Sequence, residues 1–301
     1  MHGPLVVVGS INTDLVMRAS RMPQPGETMM ADGFAILPGG KGANQAVAMA
    51  RLGASVEMIG RVGDDAFGGL ARTALAESGV GVAGVQTMPG MSSGVAAILV
   101  EHNGENRILV ASGANAHVGF DDVPDALLHT ASMLVLQLEI PIETVYRLIE
   151  TATVPVLLNP APAIPLAVSR LRGVAFLVPN RGELAVLTGM PVTRTDDVVA
   201  AARRLVRAGI GCVIVTLGPD GAVLVTQARV AHVDAPIVEA VDTTGAGDGF
   251  IGAFAATLAR SGDVDNALAV AVRYASLSVT RHGAQASYAD ATCFFQSTPT
   301  S

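Results

Sequence analysis

Short, continuous apolar runs rich in β-branched residues punctuate the chain, and most are followed by a segment with helical spacing. The first, Leu5-Val6-Val7-Val8, is closed by Gly9-Ser10. A strand with one wet face alternates apolar and polar residues, so a run apolar at every position reads as a strand buried on both faces. Residues 42–52 place Ala46, Met49, Ala50 and Leu52 on helical spacing, with Gly53 where a glycine ends a helix. Ser55–Ile59 follows as a strand, and Asp65–Glu77 as a helix ending at Ser78-Gly79. Strands at Met133–Leu138, Val154–Leu158, Val174–Val178 and Val213–Thr216 then alternate with helices near 142–151, 182–188 and 196–208. Such βα repetition predicts an α/β fold, a mainly parallel central sheet with helices on both faces.

Two segments break the rhythm. Residues 12–38 carry Pro23, Pro25 and Pro38 without helical periodicity, which suits an extended, turn-rich excursion. Residues 94–100 and 106–112 read as strands around His102-Asn103-Gly104-Glu105, where Asn-Gly is a hairpin signal. They predict a small β-sheet lid. The core then comprises residues 1–14, 39–90 and 113–290, the lid 15–38 and 91–112, and the tail 291–301. So thin a sheet cannot bury both faces, so one is expected over a ligand and the other on a second copy of the chain, forming a homodimer. Ile98, or Ile108 in the opposite register, is expected at that interface.

Composition narrows the function. The net charge is −7 and no basic stripe is present, which argues against nucleic acid. No window approaches the ~20 apolar residues of a membrane span. Cys212 and Cys293 are far apart and lack metal-ligand spacing, so a reduced, cytoplasmic chain is expected. Of 19 basic residues only Lys41 is lysine, which suggests a position that needs a compact ammonium.

The segment Asp242-Thr243-Thr244-Gly245-Ala246-Gly247-Asp248 precedes an apolar helical run. Small residues there leave the backbone N–H groups of 245–248 open to an anion, and Asp248 could accept a proton from an attacking hydroxyl. A helix cap is the plainer role for Asp248, and the helix N-terminus is expected to make it a weaker base. Gly39-Gly40-Lys41-Gly42 lacks the pattern of a Walker loop, and Phe250 occupies the third glycine position of a dinucleotide fingerprint.

In order, Gly9-Ser10-Ile11-Asn12-Thr13-Asp14, Pro25-Gly26-Glu27-Thr28, Gly39-Gly40-Lys41-Gly42-Ala43-Asn44-Gln45-Ala46, Gln137-Leu138-Glu139, Asn159-Pro160-Ala161-Pro162-Ala163, Pro179-Asn180-Arg181-Gly182-Glu183, Thr216-Leu217-Gly218 and the Asp242–Asp248 segment resemble the ribokinase-like family of carbohydrate kinases. The resemblance runs from about Val6 to Ser287. It implies ATP-dependent phosphorylation of D-ribose to D-ribose 5-phosphate, with Asp248 as general base and Gly245, Ala246 and Gly247 around the phosphoryl group. Asn12, Asp14, Gly40, Lys41, Asn44 and Glu139 would hold the sugar. Asn180, Glu183, Thr216, Gly218, Gly221 and Gly247 would serve ATP, with Glu183 reaching Mg2+ through water. A K+ site is implied at Asp242, Thr244, Ser278, Arg281, Gly283 and Ser287. The alternatives are a kinase for another sugar or a nucleoside, or a non-catalytic sugar-binding regulator.

Overall fold

In this computed structural model, which describes residues 3–102 and 105–296, the first strand β1 (Leu5–Val8) is buried at all four positions. Leu5 and Val7 pack into one hydrophobic core while Val6 and Val8 pack into another. The run is apolar throughout because helices cover both of its faces.

The remaining strands are β2 (Asn12–Ala19), β3 (Gly33–Gly39), β4 (Val56–Gly63), β5 (Val85–Met88), β6 (Gly94–Glu101), β7 (Asn106–Ala111), β8 (Met133–Leu136), β9 (Val156–Leu158), β10 (Phe176–Leu177), β11 (Cys212–Thr216), β12 (Ala222–Thr226) and β13 (Val230–Val233). The main sheet runs β13-β12-β11-β10-β9-β8-β1-β4-β5. It is parallel except at β11–β12 and β12–β13, two strands that the sequence reading, ending its alternation at Thr216, does not include. Only the turn Gly218–Asp220 separates β11 from β12, too short for a crossover helix, so β12 must run antiparallel. From β1 the chain moves to β4 on one side and later to β8 on the other. The order therefore reverses at β1, and a crevice opens beyond the carboxyl ends of the strands there.

β3, β2, β6 and β7 form the separate four-stranded lid sheet. β6 and β7 pair antiparallel as expected, while the Asn103-Gly104 turn lies outside the described residues. Ile98 sits directly opposite Ile108, and both share the face of Asp14. This corrects the expectation that one or the other marks the outer surface, because side-chain parity gives both to the site side. The opposite face carries Met17, Phe34, Ile36 and Leu109, all exposed, with Leu109 76% accessible. The expected tail is in part core: Ala291–Gln296 is a helix whose buried Phe294 packs edge-on against Tyr274, centroids 5.1 Å apart. Among the described residues no helix is long and apolar enough to cross a membrane.

Two helices, Lys41–Arg51 and Ala246–Ser261, pack closely beneath the crevice. At their contact a Cβ on Gly252 would lie 2.4 Å from Ala48 Cβ and 3.0 Å from the Gln45 carbonyl oxygen. Gly252 follows Asp248 by about one turn, and Ala48 follows Asn44 by the same interval. The close approach therefore sets how near Asp248 comes to the other helix. Gly252→Val should lower stability by about 1–3 kcal/mol through overpacking, read as a lower urea midpoint at unchanged slope. A midpoint equal to wild type would mean that the helices separate at no cost.

Candidate active site

Five of the parallel strands deliver a polar residue to the crevice at or beyond the carboxyl end: Ser10 after β1, Gln137 and Glu139 after β8, Asn159 after β9, Asn180 after β10, and Thr216 closing β11. Facing them are the first turns of the Lys41–Arg51 and Ala246–Ser261 helices. Both start on glycines with positive φ, 89° at Gly40 and 74° at Gly245, a conformation L side chains rarely adopt, and neither has a side-chain cap. Glu139 Oε2 takes the place of a cap on the first helix, accepting from the Lys41 N–H at 3.1 Å and from Ser10 Oγ at 2.5 Å. On the second helix the Ala246 N–H donates to the Thr243 carbonyl at 3.2 Å. Of the N–H groups expected around an anion, those of Gly245, Gly247 and Asp248 are the ones left without an internal acceptor. Tyr288 steadies this turn by donating its hydroxyl to the Gly245 carbonyl at 2.8 Å.

Asp248 is buried and is not a cap. Its Oδ2 accepts from Asn44 Nδ2 at 3.0 Å and its Oδ1 from Gln45 Nε2 at 2.9 Å. Burial raises its pKa and Glu139 adds to the rise, against the opposing pull of Lys41, Asn44 and Gln45. The helix N-terminus alone would make a weaker base, and burial acts on Asp248 in the opposite direction. Asn44, expected at the sugar, directs its amide nitrogen to Asp248 while its oxygen accepts from Gln285 Nε2 at 3.0 Å.

Lys41 lines a cavity of about 220 Å³ with Asn180, Glu183, Thr216 and the 245–248 turn. Burial alone would depress its ammonium, but Asp248, Glu139 and Glu183 together hold it above the usual lysine range. Asn180 and Glu183 form a capping box. The Glu183 N–H donates to Asn180 Oδ1 at 2.8 Å, and Glu183 accepts from the Asn180 N–H and Nδ2, both at 2.9 Å. With both oxygens so engaged, Glu183 fits a metal-bound water better than a metal ion. Thr216, Ala246 and Gly247 also border a larger, mainly apolar cavity of about 440 Å³ that contains Gly218, Gly221 and Phe250.

On the lid side, Asn12 and Asp14 share one face of β2. Asn12 borders a cavity with Glu139 and Asn115, and its Oδ1 accepts from Asn115 Nδ2 at 2.7 Å. Asn115 is itself fixed by the backbone of Ile11, accepting from its N–H at 2.9 Å and donating to its carbonyl at 3.2 Å. Asn12 therefore keeps its amide N–H for the cavity. Burial, then the charges of Glu139 and Asp248, push the Asp14 carboxyl up to about 6.

Asp242 accepts from the Thr244 N–H at 2.9 Å and the Gly283 N–H at 2.8 Å, so these three of the expected cation residues come together. Of the others, Ser278 and Ser287 are buried and donate to the Ala275 and Ala284 carbonyls, while Arg281 is exposed and gives its N–H to the Ser278 carbonyl. Gln45, Gln137, Asn115, Gln285 and Tyr288 are site residues that the sequence reading does not assign. Gln45 and Gln137 carry a signal only as amides inside otherwise apolar or small-residue runs.

Residues 4–291 match the pfkB family of carbohydrate kinases. The chain is 46% identical to the deoxyribokinase of Salmonella typhi over 290 residues, covering 94% of this chain and 95% of that protein. It is 44% identical to the ribokinase of Schizosaccharomyces pombe, covering 94% of each. The structure of Arabidopsis thaliana ribokinase complexed with ribose and ATP superposes with a TM-score of 0.90 at 34% identity, over 98% of both chains. On its sequence, its fold and the polar crevice at its strand ends, this chain belongs to the pfkB family of carbohydrate kinases.

Proposed function

We propose that the protein transfers the γ-phosphoryl group of ATP to the 5-hydroxyl of D-ribose. The observation that carries this reading is Asp248, a buried carboxylate held by two amides on the wall of the cavity of Lys41, beside the open helix N-terminus. Asp248 takes the hydroxyl proton, the sugar oxygen bonds to the γ-phosphorus, and the bond to the β–γ bridging oxygen breaks to release ADP. The N–H groups of Gly247 and Asp248, with Lys41, balance the charge that develops on the transferred group. The apolar cavity at Gly218, Gly221 and Phe250 suits a nucleobase. Mg2+, held by the nucleotide and by water on Glu183, would supply charge neutralisation. K+ beside Asp242 would supply a fixed cationic field, and its ligands would be backbone oxygens of this turn.

Ribose is favoured over its 2-deoxy analogue because Asn12 offers a donor and Asp14 acceptors on one face, a pair that adjacent hydroxyls would satisfy together. Losing one hydroxyl would leave a buried group unpaired. The 46% identity to the Salmonella typhi deoxyribokinase favours a second reading, 2-deoxyribose. ADP release measured with ribose, 2-deoxyribose, fructose and adenosine separates them. The highest kcat/KM is expected on ribose, and a preference for 2-deoxyribose would transfer the assignment. Asp248→Asn should lower kcat by ~10²–10⁴ with little change in KM. Turnover within a few-fold of wild type would remove Asp248 from proton transfer.

Because the Asp14 carboxyl is pushed up to about 6 and only its ionised form offers both oxygens as charged acceptors, sugar affinity should strengthen as pH rises through that value. One unit below its pKa only about a tenth of a carboxyl is ionised, so calorimetric Kd should be about tenfold weaker there than at neutral pH. The sign for stability is opposite: a raised carboxyl pKa favours the fold at low pH, and that contribution is lost as pH rises through about 6. Asp14→Asn should bind weakly at every pH. A pH-independent wild-type Kd would remove Asp14 from the pocket.

The exposed outer lid face is proposed as the contact with a second copy of the chain, since Met17, Phe34, Ile36 and Leu109 form one apolar surface. Leu109→Asp should sediment as a monomer at micromolar concentration where wild type sediments as a dimer. A monomeric wild type would refute the contact.

A further inference from the structure

A chain of amides continues behind Asp248 into the core. Gln45 Nε2, which donates to Asp248, also lies 3.2 Å from Asn159 Oδ1, and Gln45 Oε1 accepts from Gln137 Nε2 at 2.6 Å. All of these side chains are buried. At the far end Gln137 Oε1 is buried without any hydrogen-bond partner among the described residues.

The direction of this chain is determined by its two ends. An ionised carboxylate only accepts, so the atoms facing Asp248 must be amide nitrogens. Asn159 Nδ2 donates to the Val178 carbonyl at 3.0 Å, and a carbonyl also only accepts, so Asn159 must turn its oxygen to Gln45. Both constraints require Gln45 to present its nitrogen on this side and its oxygen to Gln137. Gln137 must then donate, and its own oxygen is left unpaired against Gly9, where a Cβ would come within 2.0 Å of it. Buried polar atoms are nearly always paired; a methionine of similar length would remove this orphan but would take away the donor to the buried Gln45 Oε1. What Gln137 provides that an apolar residue would not is its N–H.

We propose that Gln45 and Gln137 are positioning residues for Asp248, Gln137 acting through Gln45 to hold the carboxylate as an oriented anion with its proton-accepting lone pairs turned to the crevice. This rests on the reading of Asp248 as the base. The groups that also bear on the Asp248 charge are Lys41, Glu139, Asp14, Glu183 and Tyr288. None of these is altered by a change at 45 or 137, so a shift in the pH profile reports the amides.

The test is the pH profile of kcat, measured as ADP release with saturating sugar and ATP, for Gln45→Met, Gln137→Met, Gln137→Glu and Asp248→Asn. Gln45→Met should lose about 10–100-fold in kcat at neutral pH, and its acid limb should move about one pH unit upward, because the anion loses a donor. Gln137→Met should shift both in the same direction, by about three- to tenfold in kcat. Neither should change KM for sugar or ATP by more than about threefold. Gln137→Glu guards against a simple folding defect: as a neutral acid its O–H replaces the Nε2 donor, and once ionised it cannot donate. Its kcat should approach wild type at low pH and fall as pH rises, a slope opposite to the wild-type acid limb. Wild-type profiles in all three glutamine variants, with Asp248→Asn inactive, would overturn the relay and leave the base reading standing. An active Asp248→Asn would overturn the base reading itself.

Discussion

A carboxylate withdrawn from water is the constraint to which most of this structure answers. Burying an ionised Asp without compensation is prohibitively unfavourable, so Asp248 needs donors on both oxygens and a positive charge nearby. Asn44 and Gln45 supply the donors from one helix, and Lys41 at that helix's first turn supplies the charge. To bring the two amides to 3.0 and 2.9 Å from Asp248, the two helices must pack as closely as a glycine allows, which is why Gly252 lies against Ala48. The same economy explains the glycine starts at Gly40 and Gly245. A side-chain cap on either would fill the space where helix N–H groups meet the crevice. Packing in the core and chemistry at the strand ends are thus set by one contact.

Much of the fold was legible because its signals are local. A run apolar at every position, as in Leu5–Val8, has only doubly covered solutions, and a glycine beyond a helical period, as at Gly53, marks where the helix stops. What escaped depends on contacts distant in sequence. β12 follows β11 through a turn, and nothing in Ala222–Thr226 itself says whether the next strand is parallel. The parity of Ile98 and Ile108 depends on register across a hairpin, and counting inward from the turn gave no fixed reference. The site divides in the same way. Asp248 stood out within its glycines, but Gln45 and Gln285 are separated by 240 positions and meet only through Asn44. An amide's partner cannot be read from its own neighbourhood, because asparagine and glutamine serve caps, turns and networks alike.

The lone lysine joins these two scales. Three carboxylates from three parts of the chain bear on Lys41: Asp248 from a helix start, Glu139 after β8 and Glu183 after β10. A guanidinium presents its donors in a plane and pairs best with one carboxylate in fork geometry, whereas an ammonium is a point charge with three rotatable donors. Carboxylates arriving from different directions favour the second. Burial would otherwise drive the proton from Lys41, and the acidic neighbours reverse that tendency, so the cation persists because the anions do. The converse also holds, since the Lys41 charge draws down the carboxyls of Asp248 and Glu183 against burial and their acidic neighbours. Arginine fills every other basic position. Position 41 is where carboxylates from three elements converge on one cation, and its identity follows from that convergence.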